Sequence, residues 1–311
     1  MKKIILNYIR KLLGADLIIN EVVKSFRQII NETRYDTRRF LLQDQILKDR
    51  EPGVSGERYV GHDIIVSLTT HGKRINDVAF TIESIMQQTI KANKIVLWLG
   101  NEDKDKPLPQ ALINQQKRGL EIYYCEDIRA YTKLIPSLKK YPDAAIITID
   151  DDLLYEYDII ERLITAYKAA PEYIHACRVH RIGIYPNKHL IPYSKWEWHT
   201  NEVGPNKFNF VTGVGSVLYP PHCFDDEVFN KDTFMRLSKY NDDIWYTAMA
   251  IKNGTLINKI ATRTPQGEDY LVNENVQDLS LMNINNFGAR KNDEQMNAVF
   301  EEYGIIDRLL A

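Results

Sequence analysis

The chain has 311 residues and a net charge of −2, with 44% hydrophobic and 26% charged residues. This is the composition of a globular protein with an ordinary core, and the near-neutral charge gives no reason to expect nucleic-acid binding. The three cysteines, Cys125, Cys177 and Cys223, form no CxxC pair, so neither a zinc ribbon nor a disulfide framework is predicted and a cytoplasmic location is favoured. Arg10 and Lys11 interrupt the first apolar stretch, which argues against a signal peptide.

Residues 1–55 are predicted to form a helical appendage. Their apolar residues recur at helical spacing, and the Pro- and Gly-containing cluster at 51–56 marks a boundary. The apolar stripe fits three roles: packing on the protein's own core, helical oligomerisation, or contact with an anionic membrane. Packing or a homo-oligomer is favoured for residues 15–50, whereas the basic residues 1–14 are the better candidate for membrane-surface contact.

The following stretch alternates between predicted strands and helices. The strands are expected at 63–68, 94–99, 120–124 and 144–149, and the helices at 76–89, 107–119 and 131–140. Such alternation predicts an α/β fold with a mostly parallel, Rossmann-like sheet flanked by helices. Ligands bind at the carboxyl edge of such sheets, where the polar loops 69–74, 100–105 and 150–152 are expected to meet.

The second half of the chain is less regular. We predict helices at 157–169, from Asn241 or Asp242 to Asn253-Gly254, and from Asn292 or Asp293 onwards, together with a glycine-containing strand at 210–219. The main domain is expected to span 56–265. Residues 266–311 would form a loop and an amphipathic helix that packs on it.

Three consecutive carboxylates, Asp150, Asp151 and Asp152, end the strand at 144–149. In extended chain, Asp150 and Asp152 would point together and Asp151 away. Two converging carboxylates suit Mg²⁺ or Mn²⁺, which commonly take one or two protein carboxylates and complete their shell with water and phosphate oxygens. The alternative is a solvated acidic turn that opens a helix at Leu153.

The order of several motifs resembles the GT-A-fold nucleotide-sugar glycosyltransferases of the bacterial surface-polysaccharide kind, over roughly residues 63–260. The motifs are a Thr-rich loop after the first strand, Ser84-Ile85-Met86-Gln87-Gln88-Thr89, the Asp-x-Asp at 150–152, the glycine-containing strand, and Asp242-Asp243 with Asn253-Gly254 ten residues later. Two features depart from the family: Trp98-Leu99-Gly100 stands where many relatives carry an aspartate, and the first strand ends in Leu68-Thr69-Thr70. Both leave the identity of the nucleobase open.

The resemblance implies specific roles for the acids. Asp152 would be the principal metal ligand, and Asp150 would share the metal or bond to the ribose. Asp151 is expected to cap a helix. Asp243, with Asp242 as the alternate, would accept the proton of the attacking hydroxyl, which implies direct displacement with inversion. From the residues alone, the acidic first turn of a helix is the favoured explanation of Asp242 and Asp243.

Basic and hydroxyl side chains nearby are candidates for donor binding. Thr69, Thr70 and Arg74 follow the first strand and would hold the base and diphosphate. Lys133 would balance phosphate charge, although a lysine on a helix surface is more often solvated. Trp196, Trp198 and Trp245 are candidates for stacking on sugars, although core packing is the commoner role.

The predicted activity is therefore metal-dependent transfer of a sugar from a nucleotide-diphosphate donor, first of all a UDP-sugar, to a surface-polysaccharide or lipid-linked glycan. The enzyme would be cytoplasmic, either free or peripheral on the inner face of the plasma membrane. Two rivals use the same residues: a metal-dependent phosphoester hydrolase, and a non-catalytic assembly protein that only binds nucleotide-sugar.

Overall fold

The computed structural model describes residues 15–264, 267–273 and 289–311. The helices are α1 Ala15–Lys48, α2 Val78–Met86, α3 Gln110–Gln116, α4 Ile135–Lys140, α5 Ile159–Ala169, α6 Lys231–Leu237, α7 Asp242–Asn253, α8 Ala289–Glu302 and α9 Ile305–Leu310. The strands are β1 Ile64–Thr69, β2 Lys94–Gly100, β3 Leu120–Cys125, β4 Ala145–Thr148, β5 Leu153–Tyr155, β6 Ile174–Ala176, β7 Val179–Arg181, β8 Gly204–Asn206, β9 Asn209–Val211, β10 Val217–Tyr219, β11 Ile257–Lys259 and β12 Tyr270–Val272.

Eight strands form the main sheet, in the order β3-β2-β1-β4-β10-β6-β11-β8. The first four are mutually parallel, and β10 runs antiparallel between β4 and β6. This confirms the prediction of an α/β fold with a mostly parallel sheet flanked by helices. It also means that β1, β2 and β4 all end at one edge of the sheet.

The central strands are buried on both faces because nearly every residue in them is apolar. In β1, Ile65 packs into one core cluster while Ile64, Val66 and Leu68 pack into the other. Alternate side chains of a strand point to opposite faces, so this one strand contributes to both layers. The apolar run that predicted the strand therefore also predicted its central place in the sheet.

Helix α1 has two apolar faces. On one, Tyr35, Leu42 and Ile46 are buried against the body, mainly through contacts with α2, α3 and β12. We call the opposite face of the helix the α1 outer face; its large side chains are 42–71% exposed and comprise Ile18, Ile19, Val22, Val23, Phe26, Ile29, Ile30, Phe40, Leu41 and Leu47.

None of the helices in the described part of the chain is both long and apolar enough to cross a membrane.

Several predicted boundaries are wrong. The final helix pair begins at Ala289 rather than at Asn292 or Asp293, and the predicted strand 210–219 is two strands, β9 and β10, separated by a loop at 212–216. The alternative of a helix opening at Leu153 is also wrong, because β5 begins there and pairs with β12. Predicted helix 131–140 is a 3-10 turn, Arg129–Lys133, followed by α4.

Candidate functional site

The acid triplet lies at the carboxyl edge of β4, beside the loop that follows β1. Thr70 Oγ1 donates a hydrogen bond of 2.6 Å to Asp151 Oδ2, and Arg74 Nη1 donates one of 2.7 Å to Asp151 Oδ1. Arg74 Nη2 also lies 3.2 Å from Asp152 Oδ2. Two of the predicted donor-binding residues, Thr70 and Arg74, therefore meet the triplet. Thr69 turns to the sheet instead, and its hydroxyl donates to the carbonyl of Trp98 at 2.9 Å.

The predicted alternation of the three aspartates does not hold. The chain leaves extended geometry after β4 and forms a turn at Asp151 and Asp152, so both carboxylates reach the guanidinium of Arg74. Asp151 caps no helix; it is buried, and its backbone carbonyl accepts a hydrogen bond from Thr81 Oγ1 at 3.0 Å. These contacts fix Asp151 as the residue that attaches the turn to the body.

Lys133 connects the triplet to a second acidic pair. Its Nζ lies 3.1 Å from Asp150 Oδ1 and 3.7 Å from Asp242 Oδ2. Burial lowers the pKa of the Lys133 ammonium, but the carboxylates of Asp150, Asp242 and Asp243 outweigh it and raise that pKa well above its ordinary value. Lys133 is thus a fixed cation between two groups of acids, not a solvated surface lysine.

Asp242 and Asp243 occupy the first turn of α7, but neither caps it. The side chain of Asn241 accepts the hydrogen bonds from the Asp243 and Ile244 N–H groups, at 3.1 and 3.4 Å. The Asp243 carboxylate is therefore available for other contacts, and its Oδ1 accepts a 2.9 Å bond from the Gly213 N–H. Asp242 is nearly buried, and its Oδ2 has no hydrogen-bond donor among the described residues.

The protonation of Asp243 is shifted towards neutral pH. Burial and the like charge of Asp242 raise the pKa of the Asp243 carboxyl to about 7, although Lys133 and the Gly213 N–H lower it. A carboxylate with a pKa near the working pH is suited to general-base catalysis. Asp243 keeps some exposure while Asp242 is buried, which makes Asp243 the more accessible of the two.

Gly213 is required by the space around it. A Cβ at this position would lie 2.7 Å from Lys133 Nζ and 3.1 Å from Asp243 Oδ1. Any side chain here would displace the ammonium or the carboxylate. The glycine-containing stretch thus serves the close approach of backbone to charged side chains, and sequence reasoning identified the glycine but not its charged neighbours.

The acids fit a cation that shares its coordination with a substrate. Among the residues that the structure describes, no three His, Cys, Asp or Glu side chains form a group able to hold a metal ion. Asp150 contacts Lys133 and Asp152 contacts Arg74, and both are carboxylate donors at this edge. Mg²⁺ and Mn²⁺ accept such sparse protein ligation when phosphate oxygens complete the shell. The described side chains do not form an all-protein metal centre.

The aromatic segment contributes one partly open ring. Trp196 and Trp245 are buried in the core, as their commoner role predicts, whereas Trp198 is 46% exposed. Trp198 stacks on His180 with ring centroids 5.3 Å apart and contacts Tyr193 at the same distance. Arg178, which the sequence did not single out, lies in the same part of the fold.

No family model matches the sequence, and neither does any curated protein. Among solved structures, the chain is similar to the mannosyltransferase PcManGT from Pyrobaculum calidifontis, in complex with GDP-Man and Mn²⁺. The identity is 12% and the TM-score 0.42, and the match covers 74% of this chain and 64% of that one. The chain thus spans less than two thirds of that protein. A likeness of this size says nothing about the substrate or mechanism of this chain.

Proposed function

We propose that this chain is a GT-A-type, metal-dependent glycosyltransferase that moves a sugar from a nucleotide-diphosphate donor to a glycan acceptor. One observation carries the proposal: Lys133 joins Asp150 of the triplet to Asp242, next to Asp243. The proposed site for a diphosphate-bound cation therefore lies beside Asp243, a carboxylate with a pKa of about 7. Hydrolysis of a phosphoester needs the cation site, whereas transfer to a hydroxyl acceptor uses both the cation site and the carboxylate.

Each group then has a defined task. Asp152, assisted by Asp150, would hold Mn²⁺ or Mg²⁺, which when bound supplies positive charge to the leaving diphosphate. Lys133 and Arg74 add fixed positive charge at the same edge. Asp243 accepts the proton of the acceptor hydroxyl as it attacks, and the Gly213 N–H holds that carboxylate in place. With Asp243 acting as a single base, we propose direct displacement with inversion.

Asp152→Ala is expected to abolish the metal-dependent part of nucleotide binding. In the wild type, a nucleoside diphosphate should raise the melting temperature more with Mn²⁺ than without it, because a ligand of the native state stabilises by mass action. UDP is the first nucleotide to test, followed by GDP. The measurement is thermal denaturation of the full chain with each nucleotide, with and without Mn²⁺.

Asp44→Asn is the matched control, since Asp44 lies on α1 and pairs only with Lys48 across one helical turn. It should keep the full Mn²⁺-dependent shift. If the Mn²⁺-dependent rise in melting temperature were the same in Asp152→Ala and in the wild type, Asp152 would not be a ligand of the metal. Phosphate release without any sugar acceptor would favour the hydrolase, and nucleotide binding with no turnover by any donor would favour the assembly protein.

The α1 outer face is proposed to bind a second copy of the chain. Ile19, Val22, Phe26 and Ile29 follow the alternating three- and four-residue spacing of a coiled-coil seam, and all four are exposed. The stripe is interrupted by Thr33, where the helix meets the body. Residues 1–14, proposed to contact the inner face of the plasma membrane near a lipid-linked acceptor, lie outside the described residues.

Phe26→Glu is expected to convert an oligomer into single chains, because a carboxylate on the seam would be buried without a partner. Light scattering after size-exclusion chromatography measures the mass. Gln28→Glu makes the same charge change about 200° around the helix and should leave the mass unchanged. A monomeric wild type would contradict the pairing, and binding of that monomer to anionic vesicles would assign the face to a membrane instead.

A further inference from the structure

Among the described residues, no carboxylate pairs with the positive charge of Arg178. It lies between β6 and β7 and is half-buried. Its Nε donates a 2.9 Å hydrogen bond to Thr212 Oγ1, and its Nη1 donates one of 3.4 Å to the hydroxyl of Tyr270. Both acceptors are uncharged. Two hydroxyl groups thus position the guanidinium, and the part of the chain that the structure describes supplies no anionic partner within 4.0 Å.

Other enclosed arginines provide a comparison. Half-buried Arg38 resembles Arg178, because its guanidinium contacts the uncharged Tyr157 and Gln87 and pairs with no carboxylate among the described residues. Arg74, Arg118, Arg162 and Arg181 are each at most 18% exposed in the side chain, and each contacts a carboxylate. Within residues 15–264, 267–273 and 289–311, no carboxylate lies within 4.0 Å of the Arg178 guanidinium. Enclosed charges are ordinarily paired, so the missing partner of Arg178 points to an anion that arrives with a substrate.

Arg178 lies close to the proposed base. Its partner Thr212 immediately precedes Gly213, whose N–H binds the Asp243 carboxylate. Burial raises the pKa of Tyr270 to about 12, while the charge of Arg178 lowers it and the carboxylates of Glu268 and Asp150 raise it further. The Tyr270 phenol therefore lies within electrostatic reach of the arginine, of Glu268 and of the acid triplet. An anion on Arg178 would lie on the same side of the fold as the acids.

Aromatic rings lie within electrostatic reach of this arginine, because burial and the charge of Arg178 both lower the pKa of His180 to about 3. The rings of His180, Tyr193 and Trp198 contact one another at centroid distances of 5.3 to 5.8 Å. Trp198 Nε1 donates to the Tyr193 carbonyl at 2.9 Å, so its polar edge is satisfied while the side chain stays 46% exposed. Such a ring stacks well on the apolar face of a sugar.

From this arrangement we propose that Arg178 and the ring of Trp198 form an acceptor subsite that selects a sugar bearing an oxyanion, either a carboxylate or a phosphate. The proposal rests on the proposed glycosyl transfer and adds the charge of the acceptor. Arg178 binds the oxyanion, because a guanidinium matches the geometry of carboxylate and phosphate oxygens. Trp198 supports the sugar ring, and Asp243 stays free to take the proton.

The test is a ligand-observed NMR titration of the full chain, saturated with Mn²⁺ and the nucleoside diphosphate that raises its melting temperature. The probes are methyl glucoside, methyl glucuronide and glucose 6-phosphate. The wild type should bind at least one anionic probe about 10- to 100-fold more tightly than methyl glucoside, the factor expected for a charged hydrogen bond. Arg178→Gln should remove that preference, and Arg178→Lys should retain part of it.

Arg181→Gln is the matched control, because Arg181 lies three residues further along and already pairs with Glu202. It should keep the preference for the anionic probe. The nucleotide-induced melting shift of Arg178→Gln verifies that this variant is folded and keeps its donor site. Equal binding of all three probes by the wild type would overturn the subsite while leaving glycosyl transfer intact. If folded Arg178→Gln lost the nucleotide-induced melting shift, the arginine would belong to the donor-binding site instead. If the wild type showed no such shift, the proposed function itself would be contradicted.

Discussion

Replacement of Asp243 by asparagine is expected to lower kcat about 10²–10⁴-fold, the usual contribution of a general base. The amide cannot accept the proton of the acceptor hydroxyl, although its oxygen can still accept the Gly213 N–H bond that Asp243 accepts now. The nucleotide-induced rise in melting temperature should therefore remain. Steady-state turnover of a sugar donor, measured beside the thermal shift, separates the two effects.

The activity of the wild type should also depend on pH, because Asp243 must be deprotonated to act as the base. Because the pKa of Asp243 is about 7 in the folded protein, kcat/KM should rise as pH increases through 7 and level off above it. In the unfolded chain this carboxyl titrates near 3.8, so between about 4 and 7 the folded state binds the extra proton. The free energy of unfolding contributed by Asp243 therefore falls as pH rises across that window.

Asp243→Asn lacks this titration. Its melting temperature should therefore be higher than that of the wild type at pH 8, and the difference should disappear near pH 4. Asp242→Asn is the matched comparison, since the two acids are neighbours on α7 and only one is proposed as the base. If kcat fell further in Asp242→Asn than in Asp243→Asn, Asp242 and not Asp243 would be the general base. Retention of kcat in both would remove the pair from catalysis.

The second large effect concerns stability. Arg118→Met is expected to lower the free energy of unfolding by about 3–5 kcal/mol, because it leaves a buried carboxylate without its partner. Glu83 is fully buried, and both its oxygens accept hydrogen bonds from Arg118 Nη1, at 2.9 and 2.8 Å. Arg118 Nη2 also contacts Asp49, just beyond α1, at 2.8 Å. Denaturant unfolding followed by circular dichroism measures the loss.

A double variant tests the cause. Glu83→Gln/Arg118→Met removes both charges and should recover much of the loss, since an uncharged pair needs no counter-ion. Lys188→Met is the control: it breaks an exposed ion pair with Asp307 and should cost no more than about 1 kcal/mol. If Arg118→Met unfolded at the wild-type denaturant concentration, the buried pair would not stabilise the fold.

The sequence predicted the parallel half of the fold well, because β1, β2 and β4 are apolar runs whose burial on both faces follows from composition alone. It missed β5 to β8, β11 and β12, since three-residue strands are too short to show a period. It predicted the cap of α7 at Asn241 or Asp242, and Asn241 is the residue that caps the helix. It placed Thr70 and Arg74 at the triplet because parallel strands share an edge.

Other features of the site depend on contacts that no local pattern contains. Lys133 reaches Asp242 across more than one hundred residues of chain, so its role as a bridge emerges only after folding. The turn at Asp151 and Asp152 replaced the extended geometry assumed for the triplet. Arg178 lies in a segment whose sequence is notable for aromatic residues. That no described carboxylate pairs with it is a property of the fold and not of any motif.

The two apolar faces of α1 decide where the chain can be shortened. The Pro- and Gly-containing cluster at 51–56 suggests a truncation at residue 55. That truncation would also remove Tyr35, Leu42 and Ile46, whose side chains complete the core beside α2. A cut near residue 31 spares these three, and the side chains that it removes at 18–26 and 28–30 are exposed. The smallest piece of this protein suited to crystallisation or directed evolution therefore retains the second half of the helix.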